Sequence, residues 1–475
     1  MRNFLASAAF LFYCVALLAR SEPQITADVD EQVDALVRTE MKRQHIPGMA
    51  LGVYSDGKLV SARAYGLANV EWDVPVQPDT LFQSGSVGKQ FVATAVMILF
   101  EESKVGLDDS VQKYFSDAPE TWKNITVRNL LTHTSGLGEY ESEERTKPGG
   151  PFDLRLDFTE EELFKKIVAM PLDFKPCERW SYRNTNYVLL GMLIHRVTGE
   201  FYGDFLQERI FRPLGMSSTR VISDGDIIPH RAAGYRLDDG KLKNQEWISP
   251  TFNSTADGAL YFTVLDLEKW DAALYTEKVL KKSSLEQMWT PVACADGKKY
   301  HYGFGWWVEE ANGRRLFEHG GAWQGFSAEI SRYVNDRLTV VVLTNLDASH
   351  SDARRIAHEV ANLYVPGLKM SPIRDTEPKV TALLSTTLVE LAADKPSLGS
   401  FASEERSMWL PERIKGLSER LKSLGTLNSL SLLESKNEDS LRHYIYRAAF
   451  ADAAMQVDLY LNQDGKIAAL QVRSE

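Results

Sequence analysis

A serine three residues ahead of a lysine, at the mouth of a strongly apolar run, is the first place in this chain where chemistry could sit. In LFQSGSVGKQFVATAVMILF, residues 81 to 100, Ser86 and Lys89 lie one turn apart on a helix expected over 86 to 102, so hydroxyl and amine share a face. An ammonium at the edge of a buried helix loses hydration it cannot easily recover. A neutral Lys89 could take the Ser86 proton, and a serine near a helix N-terminus gains backbone donors for a developing oxyanion. The plainer role for Ser86 is a helix cap. Ser-x-x-Lys also occurs at Ser55 with Lys58 and at Ser110 with Lys113, but one straddles a turn and the other lies in the polar stretch LDDSVQK. Only Lys89 abuts a long apolar segment.

Two further tripeptides carry functional groups. Tyr182-Arg183-Asn184, in RWSYRNTNYVLLG, sets a phenol and a carboxamide just before a helical stripe. The other Tyr-x-Asn copies, at Tyr333 and Tyr460, end strands at turns, where that pair is ordinary hairpin composition. His319, Gly320 and Gly321 close the strand RRLFEHGG. Two glycines leave one edge of a strand uncovered, so a substrate backbone can approach and pair with it. A histidine there can hydrogen-bond a polar group or, when protonated, a carboxylate; a bulge with a surface histidine is the bland alternative. His133 and His195 lie in or beside helical stripes and read as packing or surface residues.

These groups need positioning. Val29, Val33, Leu36 and Met41 mark a helix near the start of the expected mature chain, and residues 49 to 66 alternate around Asp56 and Gly57 as a hairpin. The chain is then mostly helix and loop to about residue 250. Two later hairpins turn at Asn312 with Gly313 and at Asn335 with Asp336, and SDARRIAHEVANLYV follows as a helix. The expected fold is α+β: an antiparallel sheet from early and late segments, flanked by terminal helices, with a mostly helical region inserted. Three prolines in 366 to 379 mark a linker, and 380 to 475 read as a small C-terminal α+β domain with no visible catalytic cluster.

At 475 residues, 44% hydrophobic and 25% charged, the chain has an ordinary globular composition with room for two or three domains. Residues 1 to 21 read as a secretory signal peptide, an apolar run behind an early arginine with small residues before Glu22; an uncleaved anchor is the alternative. The expected location is therefore secreted or periplasmic, with no transmembrane segment after the signal is removed. Removal takes away Arg2 and Arg20 and no acid, moving the formal charge from -11 to -13, which argues against a nucleic-acid partner. Cys177 and Cys294 remain, and their separation leaves a bridge and a free pair equally open. No HExxH and no close His/Cys/Asp cluster appears, so neither metal nor cofactor is expected.

Taken together, Ser86 with Lys89, Tyr182 96 residues on and His319 137 beyond that have the order and spacing of a serine hydrolase. The chain resembles the serine β-lactamase and penicillin-binding superfamily, nearest its class C β-lactamase, D-alanyl-D-alanine carboxypeptidase and esterase branch. The likeness spans about residues 28 to 365 and includes HTSGL at 133 to 137, GDFLQERIFRPLGM at 203 to 216 and ADGALYFTVLDLEKW at 256 to 270. It implies Ser86 as acylated nucleophile, with Lys89 and Tyr182 sharing the proton traffic. It also implies Asn184 on a substrate amide carbonyl, His319 to Ala322 along the substrate, and an oxyanion hole from the backbone N–H groups of Ser86 and Ala322. Two departures stand out: His319 replaces the lysine of a Lys-Thr-Gly strand, and Cys177 stands where relatives often have glycine. The implied substrates are short peptides ending in D-amino acids, esters, cell-wall peptides or β-lactams. Carboxypeptidase action leads, with β-lactamase, esterase or D-aminopeptidase action as alternatives, and a non-catalytic cell-wall- or peptide-binding role as a reading of another class. The oligomeric state and the role of the C-terminal domain are not indicated.

Overall fold

A computed structural model describes residues 27–294, 299–402, 411–438, 441–451 and 453–474; the expected leader lies outside these. Helix α1 (Ala27–Gln44) leads into strands β1 (Gly48–Ser55), β2 (Lys58–Asn69) and the short β3 (Val74–Pro75). After the helical region come β4 (Trp307–Ala311), β5 (Arg314–Trp323), β6 (Phe326–Tyr333) and β7 (Leu338–Thr344). They join in one antiparallel sheet ordered β4-β5-β6-β7-β1-β2-β3. The first and last segments therefore meet at its centre, with Leu51 opposite Val342 and Val53 opposite Val340. Every residue of β6 and β7 is buried, which is why LTVVVLT carries no polar alternation.

One face of the sheet is covered by α1 and by a helix over Ala353–Tyr364, which buries Ile356, Ala357, Val360 and Ala361 at helical spacing. The other face meets the inserted helical region. At its centre stands α2 (Lys89–Glu101), buried from Lys89 through Leu99 and so apolar all round rather than amphipathic. The helix α3 (Asn184–Thr198) and a helix over Val264–Ala273 pack in the same core. A left-handed Gly199 ends α3 (φ 79°).

Beyond residue 377 a separate apolar core forms between helices over Pro378–Ala392 and Pro411–Ser423 and a four-stranded antiparallel meander of Leu427–Glu438, Leu441–Phe450, Ala454–Leu461 and Ile467–Ser474. The first helix begins inside the expected linker because Pro378 suits the first helical turn, where no backbone N–H is needed. The connecting segment is tied to the meander by the Ile373 amide donating to the Leu432 carbonyl (2.8 Å). Among the described residues no helix is long and apolar enough to cross a membrane.

A buried ion pair joins the helical region to the sheet. Asp271, fully buried, accepts from Arg332 Nε and from Thr339 Oγ1, each at 2.7 Å. Removing one partner strands the other charge in a dry interior. Asp271→Ala should therefore lower the unfolding free energy by about 3–5 kcal/mol in denaturant titration, whereas a loss under ~1 kcal/mol, the worth of an exposed pair, would show that water reaches Arg332.

Candidate active site

The chain from Leu81 to Gln90 is buried at every residue except Ser86. A tight turn over Gly85–Gly88 feeds α2 and lifts that one hydroxyl out of the core. Close approach to β5 makes the turn possible. A Cβ on Gly85 (φ +47°) would lie 2.2 Å from the Ala322 amide nitrogen, and one on Gly321 would lie 2.0 Å from the Ser84 carbonyl oxygen and 3.0 Å from the Ser86 nitrogen. Glycine at both places brings the Ser86 and Ala322 amides to the same spot, as an oxyanion hole requires. Strand β4 pairs with β5 only as far as Glu318, so the edge from His319 onward is open on the Ser86 side.

Lys89 is fully buried, and its Nζ has three acceptors: Ser86 Oγ at 2.9 Å, Asn184 Oδ1 at 2.8 Å and the Asp257 carbonyl. Three acceptors match the three protons an ammonium can donate. They come from three separate stretches of chain, so the nitrogen is fixed against the serine oxygen. Tyr182 lies beside this pair, with Lys89 Nζ 5.1 Å from its ring centre. Its hydroxyl is sealed from solvent and, among the described residues, makes no hydrogen bond of good geometry. Burial raises its pKa, while Lys89 and Ser86 nearby draw it part of the way back. The structure thus brings Ser86, Lys89, Tyr182, Asn184 and the segment His319–Ala322 into one place.

Two of these residues have partners that the sequence did not show. His319 is buried and neutral, its pKa pushed down to about 3 by burial and by Lys89. Nδ1–H donates to the Gly320 carbonyl (2.6 Å), and Nε2 accepts from Tyr302 O–H (2.9 Å). Both ring nitrogens are spent, so the imidazole offers no cation to a substrate carboxylate. Asn184 Nδ2 donates to Glu141 Oε2, which leaves a second amide hydrogen, and its backbone amide donates to Glu139 Oε2 (2.6 Å).

Several site residues were not legible in the sequence. His133 packs tilted against the Tyr182 ring with centres 4.2 Å apart, accepts from the Arg183 amide at 3.2 Å and is held neutral by burial. It packs, as read, but its packing partner is Tyr182. Glu139, Glu141 and Asp257 gather around Asn184, and burial with the neighbouring carboxylates pushes Glu141 up to about 8. The signal was Glu139 and Glu141 in the acid-rich GEYESEE that follows HTSGL, a composition ordinarily found on solvated loops. Cys177 is bridged to Cys294, 117 residues away. Its φ of +57° is a left-handed conformation that strains any Cβ and suits glycine better. The bridge ties the loop leading to Tyr182 to the segment preceding Tyr300 and Tyr302.

Two cavities open from Ser86. One, of about 460 Å³, is lined by Tyr182, His319, Gly320 and Glu329. The other, of about 30 Å³, is closed by Glu141, Asn184, Asp257, Phe252 and Trp323. Trp323 is pinned by its indole N–H donating to Asn253 Oδ1 (2.9 Å), and Phe252 stacks on Tyr140.

The family model described as Beta-lactamase matches residues 33–364. Over 328 residues the chain is 27% identical to the putative penicillin-binding protein PbpX of Bacillus subtilis (strain 168), covering 69% of this chain and 77% of that protein. Over 391 residues it is 26% identical to the D-aminopeptidase of Gluconobacter oxydans (strain 621H), covering 80% and 71%. The crystal structure of D-amino acid amidase from Ochrobactrum anthropi SV3 with L-phenylalanine amide superposes with a TM-score of 0.61 at 25% identity, over 72% of this chain and 99% of that one. An antiparallel sheet with an inserted helical region, a serine and lysine one turn apart between them and a family match across that whole unit lead to one conclusion: the chain belongs to the beta-lactamase family of serine hydrolases.

Proposed function

We propose that this protein hydrolyses amides and peptides whose acyl part is small and carries a free amino group, through an acyl-enzyme on Ser86. In this reading Lys89 and Tyr182 relay the proton of the Ser86 hydroxyl, the Ser86 and Ala322 amides hold the oxyanion, and Tyr182 returns a proton to the leaving nitrogen. The observation that carries the reading is the division of space around Ser86. A leaving nitrogen must be protonated as its bond breaks, which places it on the Tyr182 side, in the large cavity. The acyl part then occupies the compartment of about 30 Å³ that ends on the Glu141 carboxyl. A carboxylate flanked by Glu139 and Asp257 suits an ammonium. An incoming cation favours the ionised carboxyl, against the burial that holds it protonated in the empty site.

Carboxypeptidase action, the leading expectation from the sequence, needs the opposite division: a long acyl chain and a small leaving group with a free carboxylate. The large cavity offers that carboxylate little. His319 is neutral, and Arg354 is paired with Glu318 and with Glu309 at 3.5 Å. The D-aminopeptidase and D-amino acid amidase relatives support the aminopeptidase-like reading and supply the D stereochemistry. The penicillin-binding relative, with the open edge of β5, favours acylation of Ser86 by β-lactams as a second reading. The Cys177–Cys294 bridge supports work outside a reducing cytosol, in keeping with a secretory leader.

Hydrolysis of D-alanine amide should exceed that of its N-acetylated counterpart, and Ser86→Ala should abolish both. Glu141→Gln should raise KM for the free amine by roughly 10- to 100-fold, the worth of a charge-assisted hydrogen bond, and narrow the gap between the two substrates. Equal rates on both substrates in the wild type would contradict the reading. A stable penicillin adduct on the wild type, seen by intact mass together with inactivity on D-alanine amide, would select the second reading. Because Glu141 has a raised folded-state pKa, the stability it contributes is present below its unfolded value and is lost as pH climbs toward about 8. Glu141→Gln should therefore gain melting temperature relative to the wild type between pH 5 and pH 8, and a constant difference would contradict the assignment.

A further inference from the structure

The large cavity does not end at the strand edge. Glu329 on β6 is directly opposite Gly320 on β5, and both line the cavity that begins at Ser86 and Tyr182. A Cβ on residue 320 would sit 3.1 Å from Glu329 Oε2. Glycine there leaves the carboxyl in view of the cavity. Glu329 is only 1% exposed, and its Oε1 accepts from Ser331 Oγ at 3.0 Å. Among the described residues Oε2 takes no hydrogen bond. A buried carboxyl with one oxygen unmet at a cavity wall is costly unless something arrives to meet it.

The charges around it say what that would be. Glu318, Glu309 and Asp352 are nearby acids. Arg354 faces Glu318 and Glu309, His358 Nε2 lies 2.7 Å from Glu318 Oε2, and Asp352 Oδ1 accepts from the Arg355 amide at 3.0 Å. Each of these acids has a partner, and Arg354 is spent on two of them. Among the described residues no cation forms an ion pair with Glu329, although the Arg354 guanidinium is near enough to act on it through space. Burial and the Glu318 carboxylate push its pKa well above the usual carboxylate range, against the opposing pull of Arg354 and the Ser331 hydroxyl.

We propose that the cavity past Gly320 is a leaving-group subsite in which the Glu329 carboxyl binds an ammonium carried by the departing amine. Substrates of this class are amides of diamines or peptides whose second residue bears a basic side chain. The assignment of the cavity to the leaving group rests on the amide-hydrolase reading above; the binding of a cation at Glu329 does not. As the ammonium enters, Glu329 gives its proton to solvent and the two charges pair.

Calorimetric titration of the full-length protein with 1,4-diaminobutane and with n-pentylamine tests the site without turnover. The two probes match in length and differ by one ammonium. The wild type should bind the diamine at least tenfold more tightly, and Glu329→Gln, isosteric with the uncharged carboxyl and so expected to fold, should bring that ratio close to one. Equal binding of the two amines by the wild type overturns the proposal, as does a diamine preference that survives in folded Glu329→Gln. Kinetics on the D-alanyl amides of the same two amines then separate the claims. A diamine preference in binding with neither amide hydrolysed leaves the cation site and refutes the amidase reading, whereas hydrolysis of both at equal efficiency refutes the leaving-group subsite.

Discussion

The buried nitrogen of Lys89 is the constraint on which the rest depends. Taking an ammonium or amine out of water is tolerable only where its hydrogen bonds are replaced, and here a side chain, a carboxamide and a backbone carbonyl do so at once. The three acceptors lie on the turn before α2, at the start of α3 and in the segment at Asp257. Seating one nitrogen therefore fixes three stretches of chain that are up to 171 residues apart in sequence. The apolar all-round character of α2 and the glycines at 85 and 321 follow from the same need, because the serine must reach the strand while its lysine stays inside.

Around that fixed centre the two sides of Ser86 differ sharply. On the Asn184 side the walls are held by hydrogen bonds and stacked rings, and the compartment is far smaller than the one on the other side. On the Tyr182 side the open edge of β5 gives onto a roomy cavity. Acidic groups face both, and His319, held neutral by burial and by Lys89, adds no positive charge. In the proposed reading these surroundings favour amines over carboxylates, which is one way a shared fold can serve different substrates.

Much of this was legible in the sequence. The apolar stretch behind Lys89 set it apart from two other Ser-x-x-Lys copies, and the hairpin turns at Asp56, Asn312 and Asn335 gave the antiparallel sheet. What stayed hidden depends on contacts between distant segments. Glu141 is an acid in an acid-rich loop until Asn184 closes over it, and Glu329 is one residue of a strand until Gly320 opposite exposes it to the cavity. The neutrality of His319 required knowing that Tyr302 and the Gly320 carbonyl take both its nitrogens. The Cys177–Cys294 bridge could not be read from a separation of 117 residues, and neither could the left-handed backbone at Cys177.

The most direct test of the central claim is rapid-quench intact-mass analysis after mixing with an activated alanyl ester, using the wild type beside Ser86→Ala and Lys89→Ala. The account predicts a transient alanyl adduct on the wild type, none on Ser86→Ala, and formation at least about a hundredfold slower on Lys89→Ala. An adduct on Ser86→Ala, or acylation of Lys89→Ala at the wild-type rate, would contradict it.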